Sequence, residues 1–331
     1  MRIIASAPGR CGILGNPTDM YGGSVISCTT QERAVCVLTP GDRLAVRVAG
    51  QDFAVGEGDD LRDRGDYGDL ARAVLRGMGV TSAAGSFSLD ITTDIPMQAG
   101  LSGSTALVCA IYGAVSAFLG RTNTLYDTAE AIRRIEYEQM RVICGFQDQY
   151  MTVFGGLNYL DFRDKGSHLA ADNQPLATVE PLAHLLPAEL PFLLANTGVK
   201  HHSGAAHKPV RERWLDGDEA VVGGYERLAR LARDAKRDLL RGDWNALARA
   251  MNANMQIQQS LGASGGACDR LAEVARASGS LAAKLAGAGQ GGTILALTFE
   301  PERTAAALQE TGATRILYPR PSPGLTVEVH P

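Results

Sequence analysis

Three glycine-centred stretches hold the residues of this chain best suited to chemistry. The middle one, Pro96-Met97-Gln98-Ala99-Gly100-Leu101-Ser102-Gly103-Ser104-Thr105-Ala106, leads directly into a long run of small apolar residues. Small residues let the backbone close on an anion, and the N–H groups of a helix start point at it, so Gly100 to Thr105 has the makings of a phosphate cradle. A plain strand-to-helix turn is the competing reading. The loop is not a Walker A motif, because no Gly-Lys-[Ser/Thr] follows the glycines. The first stretch, Ala7 to Asp19, supplies Arg10, Asn16 and Asp19. Arg10 can offset charge on a phosphate or pair with Asp148. Asn16 and Asp19 can bind adjacent hydroxyls, since a carboxylate accepts two such bonds; Asp19 could instead stabilise the Tyr21-Gly22-Gly23 turn. Asp148 sits in Gly145-Phe146-Gln147-Asp148-Gln149-Tyr150, among apolar neighbours where an unpaired charge is costly. A helix cap is the plain structural role for it. Lys200, His201 and His202 form a short basic cluster suited to a carboxylate or phosphate, or simply to a solvated loop. In the third stretch, Lys284 to Gly292, the glycines permit close chain approach and no side chain is required for chemistry.

The elements that must position these groups alternate in type. Residues 2–7, 24–28, 34–39 and 44–48 are short β-branched-rich runs between Gly, Pro and Asp turns, and read as strands. Residues 69–77 have helical apolar spacing, and 86–92 alternate as a strand. The run 104–119 is too long for a strand and has no polar face, which predicts a buried helix starting at the glycine turn. A second helix is expected over 125–143, with Ile132, Ile135, Met140 and Ile143 on one face. Strands follow at 155–162 and 190–196, separated by a polar, punctuated junction at 165–185. Helices are expected at 223–241, 244–260 and 267–278, then a strand at 293–298, a helix at 304–310 and a last strand at 325–329. The pattern is α+β, with a mixed N-terminal lobe over 1–185 and a helix-plus-sheet C-terminal lobe over 186–331.

Composition narrows the partners. The 331 residues are 45% hydrophobic and 21% charged, as in an ordinary soluble globular protein. A formal charge of −4 gives no basic footprint, which argues against nucleic acid as partner while leaving room for a local phosphate pocket. Six cysteines without Cys-x-x-Cys spacing suggest no zinc framework and read as buried thiols in a reducing cytoplasm. The apolar N-terminal run is too short for a signal peptide, and no stretch of about 18 apolar residues predicts a membrane span. A cytoplasmic enzyme is the default expectation.

Taken together, the Pro8-Gly9-Arg10 segment, the Pro96-x-x-x-Gly100-Leu101-x-x-Ser104 loop and Gly287-Ala288-Gly289-Gln290-Gly291-Gly292 resemble the signature of the kinase superfamily of galactokinase, homoserine kinase, mevalonate kinase and phosphomevalonate kinase. These motifs span residues 7–292, so the resemblance covers essentially the whole chain. Leu14-Gly15-Asn16-Pro17-Thr18-Asp19, Gly145-Phe146-Gln147-Asp148-Gln149 and Asn196-Thr197-Gly198-Val199-Lys200-His201 are similar to segments of its glucuronokinase-like members. The resemblance implies a two-lobed fold that binds ATP and Mg²⁺, with Pro96, Gln98, Gly100, Leu101, Ser102, Gly103, Ser104 and Thr105 on the nucleotide. It implies that Ser104 contacts the metal, although Gly103 stands where the family has a first serine, which leaves Ser102 as a rival. Glu138 is the carboxylate expected on the metal, with Glu136 the alternative. Asp148, assisted by Arg10, would remove or orient the proton of the acceptor hydroxyl. Asn16, Asp19, Tyr21, Gln147, Lys200 and His201 would meet the substrate. The implied reaction is phosphorylation of a sugar, foremost the anomeric hydroxyl of glucuronic acid. A different sugar, a heptose phosphate or a mevalonate-like alcohol is the alternative acceptor, and a non-catalytic sugar and nucleotide sensor is the alternative class.

Overall fold

The computed structural model describes the chain apart from residues 54, 56–60, 81–85, 170–173, 200–202, 288, 290 and 291, and gives only the helical backbone for 203–208. In chain order the first lobe contains β1 (Arg2–Leu14), β2 (Ser24–Pro40), β3 (Ala45–Val48), β4 (Gln51–Phe53), α1 (Asp69–Gly77), β5 (Phe87–Thr93), α2 (Gly103–Phe118), α3 (Leu125–Arg134), α4 (Gln147–Phe154), β6 (Leu157–Asp161) and β7 (Thr178–Pro181). The second contains β8 (Phe192–Asn196), α5 (Ser203–Leu215), α6 (Glu219–Arg241), α7 (Trp244–Ser260), α8 (Gly266–Ala277), β9 (Ala282–Leu285), β10 (Thr293–Leu297), α9 (Pro301–Glu310) and β11 (Arg315–Leu317), before β12 (Thr326–His330).

The larger sheet has the order β12-β1-β2-β5-β3-β4, with β6 and β7 branching from β2; the smaller is β11-β8-β10-β9. The changeover falls between β7 and β8, but β12 crosses back to pair antiparallel with β1. The C-terminal lobe expected from residue 186 onward therefore gives its last strand to the N-terminal sheet. The expected strands 24–28 and 34–39 are one long strand, β2, which pairs with β1 through register shifts between Pro8 and Arg10 and between Gly12 and Leu14. Such irregularities re-aim the side chains beside them, and Arg10 lies at the first.

Helix α2 lies across β1 and β2 with every residue from Thr105 to Ser116 buried, as an apolar run of this length requires. The helix expected over 125–143 stops at Arg134 and continues as a single π turn over Ile135–Gln139, closed by Met140 N–H donating to the Ile135 carbonyl. That wider turn breaks the helical period, so the apolar face read from Ile132 and Ile135 does not carry through. Two helices, α4 and α5, and four short strands, β4, β7, β9 and β11, lie outside the elements expected from the sequence. Among the described residues no helix is long and apolar enough to cross a membrane.

Candidate active site

The loop after β5 reaches α2 through Gln98, Gly100 and Ser102, whose φ values of 55°, 73° and 60° all lie in the left-handed region. Only Gly100 adopts it without a steric cost. The first intrahelical bond runs from Ala106 N–H to the Ser102 carbonyl, so the amides of Gly103, Ser104 and Thr105 have no intrahelical acceptor. The Ser102 hydroxyl is buried without a hydrogen-bond partner among the described residues. A buried polar atom of this kind at a helix start calls for a ligand or water.

The rear of the loop is fixed by other strands. Arg10 N–H donates to the Leu101 carbonyl at 3.1 Å, and Thr293 Oγ1 donates to the Ala99 carbonyl at 2.9 Å. Gly287 packs so closely that a Cβ there would lie 2.5 Å from the Gly100 oxygen. Leu101 is core, Pro96 and Gly103 are half-buried, and Gln98 and Ser104 are exposed.

The Arg10 guanidinium joins this loop to Asp148. Its Nε donates to Asp148 Oδ1 at 2.7 Å, Nη2 reaches the same oxygen, and Nη1 donates to the Gly100 carbonyl at 2.7 Å. Asp148 is the second residue of α4, and among the described residues its Oδ2 accepts no hydrogen bond. Sequence reasoning placed these two residues in one site, and the structure brings them into direct contact.

Other polar residues expected at the substrate also make hydrogen bonds within the protein. Asp19, on a single 3-10 turn over Thr18–Tyr21, accepts at Oδ2 from the amides of Phe146 and Gln147 at 2.8 and 2.9 Å, capping α4 from a distant segment. Gly145 is required there, because a Cβ would fall 1.9 Å from that oxygen. Burial raises the Asp19 carboxyl above its ordinary range, and the two amide bonds oppose the rise. Asn16 donates from Nδ2 to the Gly287 carbonyl at 2.9 Å and accepts at Oδ1 from Lys284 at 2.9 Å. Gln147 donates to Ser27 Oγ at 2.9 Å. Tyr21 is half-buried, its ring 4.6 Å from that of Trp214 and 4.9 Å from that of Tyr225. Lys200 and His201 lie outside the described residues.

Lys284 is the group that sequence reasoning overlooked in a stretch read as backbone alone. It is fully buried and donates to the Gly12 carbonyl at 3.1 Å, to Asn16 Oδ1 and to the Leu285 carbonyl. Burial pushes its ammonium down to about 7, with Cys11 opposing and Arg10 reinforcing the shift. The available signal was a lone lysine inside Ala282-Ala283-Lys284-Leu285-Ala286.

The carboxylate that reaches the loop helix is Glu136, not Glu138. Glu138 is exposed and lines a separate surface cleft with Gly77, Tyr112 and Arg121, whereas Glu136 is buried in the π turn. Glu136 Oε1 accepts from Thr105 Oγ1 at 2.8 Å and Oε2 accepts from Gln149. Burial pushes this carboxyl up to about 7, against the pull of the bonds from Gln149 and Thr105. A hard-oxygen site beside a helix start suits a small divalent cation, which would restore the charged form.

Known proteins resemble this chain along most of its length. Residues 68–156 match the family description "GHMP kinases N terminal domain", and residues 235–314 match "GHMP kinases C terminal". The chain is 31% identical to probable glucuronokinase 2 of Arabidopsis thaliana over 85% of this chain and 80% of that protein. It is 26% identical to the mevalonate kinase of Thermococcus onnurineus over 99% of each. Its fold superposes on Lactococcus lactis galactokinase complexed with galactose with a TM-score of 0.77, at 16% identity, over 98% of this chain and 95% of that one.

Proposed function

The chain belongs to the GHMP kinase family and is an ATP-dependent phosphotransferase, and from that premise we propose that it phosphorylates the anomeric hydroxyl of glucuronic acid. The observation that carries the catalytic reading is the Arg10 bridge, which ties the Asp148 carboxylate to the carbonyl of Gly100 in the loop that opens α2. The similarity to probable glucuronokinase 2 supports the choice of acceptor.

In this reading the triphosphate lies at the start of α2, against the free amides of Gly103 to Thr105 and the unpartnered Ser102 hydroxyl. Arg10 holds Asp148 Oδ1 and leaves Oδ2 for the acceptor hydroxyl. As that oxygen forms its bond to the γ-phosphorus, its proton passes to or towards Oδ2, and the bond from the γ-phosphorus to the bridging oxygen breaks to release ADP. Glu136, with a hydroxyl from Ser102 or Ser104, would hold Mg²⁺, which neutralises phosphate charge when bound. Positioning does most of the work, as phosphoryl transfer requires.

A second reading is a mevalonate-like alcohol as acceptor, favoured by similarity to a mevalonate kinase along the full length of both chains. Coupled measurement of ADP release with glucuronate, galacturonate, glucose, galactose, mevalonate and a heptose 7-phosphate separates the two. Phosphorus NMR of the product identifies the esterified hydroxyl. Glucuronate should give the highest kcat/KM and a 1-phosphate; equal efficiency on uronic acids and neutral sugars would reject the uronate reading and leave the kinase intact.

A further inference from the structure

Glucuronate, mevalonate and a heptose 7-phosphate share one property that glucose lacks: a fixed negative charge away from the hydroxyl to be phosphorylated. A site selective for any of them needs a cation to meet that charge. Asn16, Asp19 and Gln147 provide none, and Arg10 is committed to Asp148 and Gly100.

Helix α5 supplies one. Trp214, near its C-terminal end, packs against Tyr21, and Arg211 precedes Trp214 by three residues, on the same side of the helix. Arg211 is half-buried, and its Nε is buried without a hydrogen-bond partner among the described residues. Its neighbour Arg213 is paired with Asp218 at 2.9 Å; among the described residues no carboxylate pairs with Arg211. The Tyr21 phenol, raised chiefly by burial, is drawn down by Arg211 and pushed up by Asp19, so both charges lie within electrostatic reach of that ring. Asp19 in turn caps α4, which carries Asp148 at its second position. The 3-10 turn bearing Asp19 and Tyr21 thus touches both the helix that carries the reacting carboxylate and the helix that carries Arg211.

A buried guanidinium nitrogen without an acceptor is costly, and its fork geometry matches a carboxylate or phosphate. Resting on the acceptor-kinase reading above, we infer that Arg211 is a specificity-determining residue that binds the anionic group of the acceptor, the C6 carboxylate when the acceptor is glucuronate. Tyr21 and Trp214 form the apolar wall that shields this pair from water.

The test uses the full chain as wild type, Arg211→Ala, Arg211→Lys and Arg211→Met, with glucuronate, mevalonate, a heptose 7-phosphate and glucose as acceptors and ATP binding measured in parallel. On whichever anionic acceptor the wild type uses, Arg211→Ala should lower kcat/KM by about 100-fold. Arg211→Lys should recover part of that loss, and the Kd for ATP should stay within about threefold, since the nucleotide loop is untouched. If the alanine variant no longer binds ATP, Arg211→Met, which keeps the packing stem, decides the matter by the same ratio. A loss below about fivefold in the variant that binds ATP overturns the role of Arg211 and leaves the proposed function standing. Wild-type turnover of mevalonate or heptose 7-phosphate in place of glucuronate refutes the uronate reading while the Arg211 ratio is still read on that acceptor. Glucose used as well as every anionic acceptor overturns both.

Discussion

A tight backbone approach between the two lobes gives the sharpest prediction, for Gly287→Ala. The added Cβ would lie 2.5 Å from the Gly100 oxygen, 3.0 Å from its Cα and 3.1 Å from its carbonyl carbon. Comfortable contact needs about 3.5 Å, so the two segments must separate by about 1 Å. Neither can yield locally. Gly100 is held by Arg10 at 2.7 Å, while the other segment is held by Asn16 on Gly287 at 2.9 Å and by Gly12 N–H on Ala286 at 2.8 Å. Overpacking of this kind costs about 1–3 kcal/mol of stability. A displacement of about 1 Å in a reacting geometry costs about 100-fold in rate. Steady-state kinetics should therefore show kcat/KM for ATP reduced by about 100-fold, together with a lower urea midpoint. A Gly287→Ala enzyme that turns over within about threefold of wild type, with unchanged stability, would refute the claim that this contact sets the position of the phosphate loop.

Asp148→Asn should lower kcat by about 100-fold or more with ATP affinity nearly unchanged, as measured by turnover and nucleotide titration; near wild-type turnover removes Asp148 from its role. Glu136→Gln should stabilise the metal-free protein above neutral pH. The folded carboxyl titrates at about 7 against an ordinary 4.5, so the native state holds the extra proton between those values, and stability falls as pH rises through that window. The gap sets a ceiling of about 3 kcal/mol, and denaturation in EDTA should show the variant's advantage growing from pH 5 to about pH 8; a difference that does not vary with pH would show Glu136 to be charged throughout. Gly223→Ala, in the interior of α6 with nothing within 4 Å of its new Cβ, should stabilise by about 0.5–1 kcal/mol in urea denaturation and leave turnover unaltered.

What was legible in the sequence follows from how local each cause is. The α2 helix and the glycine turn before it are written in consecutive residues, so composition suffices to find them. The Arg10–Asp148 pair was within reach because both lie in recognisable segments. Glu138 is favoured over Glu136 by its place ahead of Asp148 near a helix end, and the π turn at Ile135–Gln139 that buries Glu136 leaves no mark in the apolar spacing. The alternative partners of Asn16 and Asp19 were hidden for another reason. Lys284 reaches Asn16 across 268 positions of sequence, and Phe146 reaches Asp19 across 127. Such contacts are set by topology, and a strand as short as β9 gives almost no periodic signal of its own.

The burial of α2 also bears on how the site feels salt. An exposed helix has its aligned peptide dipoles screened by water and counter-ions, and its end effect is worth a few tenths of a kcal/mol to about 1 kcal/mol. Here the residues from Thr105 to Ser116 are enclosed by protein, so the medium flanking the dipole is of low polarisability and field lines leave mainly through the open first turn at Ser104. Mobile ions cannot enter that enclosed length to screen it. The positive potential at the head of the helix is therefore a fixed property of the fold, and the protein's hold on an anion there should weaken with ionic strength less than a cluster of surface lysines would.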